Sequence, residues 1–269
     1  MTRTLIERLE ATSAGAARRL VAAATDVAPE PLAEAVAFGR GALIAMGTGR
    51  YVNRAIGISL DELGGAALDR VADWYRGRQL PTMIEVSAWA ARDSVAALAG
   101  HGYTPAWFRA MFVRPCDPRA LDPTPHGIEV VAVESEHDAE RWRTVFAAGF
   151  SVTDPEAVAV SDEFARIDRA VPTAQQFLAL IDGVAVGCCS VTAVDGVAWL
   201  GATATLPDSR GRGVQRAMVR RRLAHAEAAG CDLAAATALP DGASARNLAR
   251  LGFTLVQHQV VMAAPGPRP

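Results

Sequence analysis

Between Thr203 and Arg216 the chain reads Thr-Ala-Thr-Leu-Pro-Asp-Ser-Arg-Gly-Arg-Gly-Val-Gln-Arg. An apolar strand runs into a turn, then a glycine-spaced loop, then the start of a helix. The first N–H groups of a helix have no partner inside it, and the helix dipole adds partial positive charge there. Such a loop is an anion site. Arg210 and Arg212 add positive charge to the same few residues. The chemistry served is the binding of a phosphate or pyrophosphate. Two phosphate loops are excluded. A Walker A loop needs Lys before Ser or Thr, and the chain has no lysine. A Rossmann loop needs a third glycine, where Arg216 stands, and an acid closing the next strand. Asp232 opens its strand instead.

Arg210-Gly-Arg-Gly-Val-Gln215 resembles the R/Q-x-x-G-x-G/A loop of the GNAT superfamily of acyl-CoA N-acyltransferases, as do the flanking Leu206-Pro207 and Ala217-Met218. The resemblance implies that backbone N–H groups of Gly211, Arg212, Gly213, Val214, Gln215 and Arg216 hold the pyrophosphate of coenzyme A. It implies that Thr203, Ala204 and Thr205 pair with the pantetheine arm as an added strand pairs with a sheet edge. A second segment, Pro240-Asp-Gly-Ala-Ser-Ala-Arg-Asn-Leu-Ala-Arg-Leu-Gly-Phe253, is similar to the family's helix ending in Gly-Phe. By that resemblance Ser244 and Asn247 line the cofactor near its thiol. Read locally, Ser244 is a helix cap and Asn247 a solvent-facing side chain.

The chain also departs from the family. Gln215 stands where Gly or Ala is frequent. Asn247 lies in the region where many relatives carry a thiolate-protonating Tyr, and all three tyrosines are in the first half of the chain. The strand Val197–Thr205 lacks the Glu that some relatives use as a base. Ser244 as a proton relay, and Glu134 or Asp162 as a carboxylate base, are the remaining catalytic candidates. His225 and His258 read as structural. No catalytic acid or base is assigned.

The elements that position these residues follow from periodicity and turn chemistry. Ile128–Val133 reads as a strand, His137–Ala148 as a helix and Asp154–Ala170 as one or two more. Strands follow at 176–181, 184–194 and 198–205, joined by Asp182-Gly183 and Asp195-Gly196 hairpin turns. The loop-led helix runs to about Ala229, with Met218, Val219, Leu223 and Ala226 on its apolar face and Arg216 and Arg220 outward. Asp232–Ala238 is a strand, Ala243–Leu251 a helix and Phe253–Met262 the last strand. This order is similar to that of the family.

Arg114–Gly127 holds four prolines and reads as an extended linker. Upstream, Gly41–Met46 and Tyr51–Ser59 read as strands, Ala66–Gly77 as a helix, Thr82–Ser87 as a strand, Arg92–Ala99 as a helix and Trp107–Val113 as a strand. His101-Gly-Tyr103 answers Leu251-Gly-Phe253, so the first half resembles a degenerate second copy. Its Ser59-Leu-Asp-Glu-Leu-Gly-Gly-Ala-Ala67 stands where the phosphate loop belongs, with two acids that repel a pyrophosphate. The alternative is an unrelated helical cap. The expected organisation is α+β (mixed α/β): tandem GNAT-like domains, each a mostly antiparallel mixed sheet flanked by helices. The ranges are 1–114 without cofactor, a linker at 115–126, and an acetyl-CoA-binding domain at 127–269.

Composition bounds the partners. With 27 basic and 29 acidic residues the net charge is −2, which offers no basic stripe for nucleic acid. No apolar run reaches membrane-spanning length, and the N-terminus has an amphipathic pattern rather than that of a signal peptide. The four cysteines show no metal spacing and read as reduced thiols of a cytoplasmic protein. The expectation is a metal-independent, cytoplasmic N-acetyltransferase, monomer or homodimer, moving an acetyl group from acetyl-CoA to a primary amine of a small molecule or peptide. A CoA-binding or interaction module of weak activity, or a tandem acetyltransferase resembling mycothiol synthase, is the alternative.

Overall fold

The computed structural model describes residues 2–27 and 33–265. Met1, residues 28–32 and residues 266–269 lie outside them, so the outer ends of the expected ranges 1–114 and 127–269 do too. In chain order the elements are α1 (Arg3–Val27), β1 (Glu34–Phe38), β2 (Gly41–Ala45), β3 (Arg54–Ile56), α2 (Gly65–Arg76), β4 (Met83–Ser87), α3 (Arg92–Gly100) and β5 (Thr104–Pro115). Then come β6 (Ile128–Ala132), α4 (Glu136–Gly149), α5 (Pro155–Ala170), β7 (Ala174–Ile181), β8 (Val184–Val194), β9 (Val197–Thr205), α6 (Val214–Ala228), β10 (Leu233–Ala238), α7 (Ala243–Arg250) and β11 (Thr254–Ala263). The chain is mixed α/β, with mostly antiparallel strands flanked by helices, as the sequence leads one to expect. The chain divides into two compact units, Met1–Phe112 with Thr237–Arg250 and Thr254–Pro269, and Val113–Ala236 with Leu251–Phe253.

In the first unit the strand order is β1-β2-β3-β4-β11-β5. The closing strand β11 lies antiparallel to β4, with Val260 opposite Val86. Leu43, Ile58, Leu68, Val71, Ile84 and Leu98 form the core. The Tyr75 hydroxyl bonds both the N–H and the C=O of Ile44 at 3.2 Å, which leaves this tyrosine to structure. The expected strand at 51–59 shrinks to β3. Asn53 accepts from Met46 N–H at 2.7 Å and ties the preceding residues into a turn, and Gly57 at φ +74° ends the strand. Strand β1 was not expected.

In the second unit the order is β10-β9-β8-β7-β6. All neighbours are antiparallel except β9 and β10, which run parallel. Adjacent strand residues face opposite sides. Leu178 and Cys188 pack with Trp142, Val145 and Ala165 of α4 and α5, while Phe177 meets His225 and Arg221 of α6. The two hairpin turns are as read: Asp182, Gly183, Asp195 and Gly196 all take positive φ, as tight hairpin loops require. The proline-rich stretch lies along α6: Arg220 donates to the carbonyls of Pro118 at 2.6 Å and Leu121 at 2.7 Å, and Arg119 pairs with Glu227 at 2.8 Å.

Candidate functional site

β9 changes character halfway along. Its parallel pairing with β10 runs from Val197↔Leu233 to Leu200↔Ala236 and stops. Beyond that point Gly201–Thr205 pair only with β8. There the register slips, because Ser190 faces Gly201 while Cys188 faces Ala204. Cys189 therefore stands opposite both Ala202 and Thr203, which is a β-bulge. Ala202 takes φ +42°, left-handed for a non-glycine residue. The bulge lies just beyond the point where the pairing of β9 with β10 stops.

Helices on both faces seal the irregular point. From the α4 side, Trp142 Nε1 donates to Cys189 O at 3.2 Å. From the α6 side, Arg222 Nη1 donates to Thr203 Oγ1 at 2.9 Å, Ser190 O at 3.3 Å and Gly201 O at 3.4 Å. Sequence reading missed Arg222. Its signal was the stripe Met218, Arg222, Ala226 at four-residue spacing, which is one helix face.

After β9 a 3-10 turn (Pro207–Ser209) leads into the glycine loop. Gly211 and Gly213 take φ +76° and +87°, which glycine reaches without strain. Gly213 is the N-cap of α6 and brings no capping side chain. Val214 is buried against β8: a Cβ on Gly187 would come within 2.7 Å of it. The helix start is thus fixed.

The arginines divide the work. Arg210 Nε donates to Thr205 O at 3.3 Å and Nη2 to Gly149 O at 3.2 Å, so it ties the loop to β9 and to the end of α4. Arg212 is exposed. Arg216 pairs with Asp122 at 3.2 Å, yet its Nε is buried and has no acceptor among the described residues. An orphaned donor beside an uncapped helix start fits a polyphosphate.

The catalytic candidates are placed as follows. Glu134 is exposed just after β6. Asp162 is engaged by Arg143 at 2.8 Å and Arg166 at 3.0 Å. Ser244 is exposed on α7, and Asn247 accepts from Arg250 at 3.0 Å. These two belong to the first unit, whereas residues 203–216 belong to the second. Burial lowers the His225 pKa. Buried Asp168 accepts from Gln176 at 2.9 Å and Ser190 at 3.2 Å, and desolvation raises its pKa to about 6. Among the described residues there is no cluster of metal-ligating side chains and no helix long and apolar enough to cross a membrane.

In the first unit, side chains link the segment 54–61 to its neighbours. Arg54 pairs with Glu85 at 2.9 Å across β3 and β4, and Ser87 N–H donates to Ser59 Oγ at 2.9 Å. Asp61 accepts from Arg40 N–H at 2.8 Å.

Residues 139–253 match the model of the Acetyltransferase (GNAT) family. Over this segment the chain is similar to a GNAT domain. The GNAT family is one of acyltransferases that draw on acyl-CoA. Solved structures share the fold over more than nine-tenths of the chain. A GCN5-related N-acetyltransferase from Kribbella flavida superposes with TM-score 0.67 at 20% identity, over 93% of this chain and 96% of that one. A tandem GNAT protein from the clavulanic acid biosynthesis pathway gives TM-score 0.66 at 17% identity, over 98% and 95%. A GCN5-related N-acetyltransferase from Sphaerobacter thermophilus gives 0.61 at 18%, over 96% and 95%. No curated protein matches the sequence significantly.

Proposed function

We propose that this protein is an N-acetyltransferase that moves the acetyl group of acetyl-CoA to a primary amine of a small molecule or peptide by direct attack. The observation that carries the reading is the coincidence, within one strand-loop-helix unit, of the β9 bulge, the end of β9–β10 pairing and the uncapped start of α6. Acetyl-CoA supplies an activated acyl group that a neutral amine attacks, releasing a thiol. The edge of Thr203–Thr205 orients the extended arm. The N–H groups of residues 211–216, with Arg212 and Arg216, hold the phosphates. Positioning of the donor is then the main source of rate.

The second unit alone holds the donor. In the first, the Arg54–Glu85 and Ser59–Ser87 contacts bridge the segment 54–59 and β4, and Asp61 and Glu62 precede α2 where anions would bind. The four free, buried cysteines fit a reducing, cytoplasmic setting. The test is thiol release from acetyl-CoA across a panel of amines. Amine-dependent release supports the reading. Tight CoA binding with no release across the panel favours the CoA-binding module.

A further inference from the structure

Arg222 is only 2% exposed, and no described carboxylate pairs with it. Its hydrogen bonds go to Met218 O in its own helix and to the group formed by Ser190 O, Gly201 O and Thr203 Oγ1. A buried guanidinium without a counter-ion is costly, and an apolar residue of similar volume serves a core better. Desolvation lowers its pKa. The charge is therefore spent on the backbone it touches, which is the bulge. Thr203 Oγ1 also donates to Gly201 O at 3.0 Å, so guanidinium and hydroxyl together close around that carbonyl. Between Gly201 and Thr203 lies Ala202 in its left-handed conformation. Such a conformation persists only where the surroundings over-determine it.

Resting on the acyl-donor reading above, we infer that Arg222 is a positioning residue for acyl transfer: through Thr203 it locks the β9 bulge in the shape that presents the Thr203–Thr205 edge to the pantetheine arm. The residue acts on the arm of the donor and not on its phosphates, which lie with the loop. That separation makes the inference testable apart from stability.

Affinities for acetyl-CoA and for 3′-phospho-ADP, which keeps the phosphates but lacks the arm, are measured calorimetrically. The proteins are the wild type, Thr203→Val, Thr203→Ser and Arg222→Lys. Thr203→Val keeps the side-chain shape and replaces the hydroxyl with a methyl group, so it breaks the same contact while leaving Arg222 in place. Losing this charge-assisted bond is expected to weaken acetyl-CoA binding about tenfold, with 3′-phospho-ADP changed by less than about twofold. Thr203→Ser is expected to restore wild-type affinity. Unchanged acetyl-CoA affinity in folded Thr203→Val and Arg222→Lys overturns the inference, as does a parallel loss of both ligands. A wild type that binds neither ligand overturns the acyl-donor reading as well.

Discussion

Pro125 lies on Gly213: a Cβ at Gly213 would come within 2.6 Å of the Pro125 ring. The proline-rich stretch between the two halves thus reaches the glycine loop, and it does so on a residue whose φ is +87°.

Gly213→Ala therefore meets two costs, a left-handed backbone of about 1–2 kcal/mol and the clash with Pro125. Gly211→Ala meets the first alone, because nothing lies within 4 Å of its Cβ position. Thermal melts should show the larger drop for Gly213→Ala, and titration should show the larger loss of acetyl-CoA affinity there. Equal drops would mean that Pro125 is not seated on the loop in solution.

The loop was legible because its requirements are local. Positive φ at 211 and 213, and at the Asp-Gly turns, is written in residue type. So was the apolar face of α6. Three other features depend on partners distant in sequence. Arg222 looks like its neighbours Arg220 and Arg221, and only the bulge in β9 demands a donor there. Prolines predict that 115–126 is extended but do not say that α6 receives it. Tyr51–Ser59 has a strand's composition, yet the Asn53 side chain diverts half of it into a turn.

Asp122 holds Arg216 through an ion pair on a carboxylate that is 81% exposed. It also adds negative charge where phosphates are to bind. Asp122→Asn is expected to tighten acetyl-CoA binding severalfold at low salt, an effect that fades as salt screens it. Arg216→Ala should weaken binding. If Asp122→Asn weakens binding as well, the pair is needed to hold Arg216 in place.

Glu10 of α1 is 2% exposed and accepts from Gln257 at 2.7 Å and Gln259 at 2.8 Å. Burial, with the Glu85 charge second, raises its pKa from 4.5 to about 7. The folded state then keeps a proton that the unfolded chain loses between those values. Stability from this group falls as pH rises through that window and is level above it. Glu10→Gln removes the dependence and is expected to stabilise the protein at pH 8 by on the order of 3 kcal/mol. Melting curves of both proteins from pH 4 to 8 check this. Parallel curves across the range would contradict it.

Arg212 is exposed, whereas the other exposed arginine of the loop, Arg210, ties it to Thr205 and Gly149, so a charge change at Arg212 tests the site with little effect on the fold. The most direct measurement is calorimetric titration of the wild type and Arg212→Glu with acetyl-CoA. The account predicts one site per chain for the wild type, with affinity at least about tenfold weaker in Arg212→Glu, the scale of one charge-assisted contact. Two sites per chain, or equal affinity of the two proteins, would contradict it.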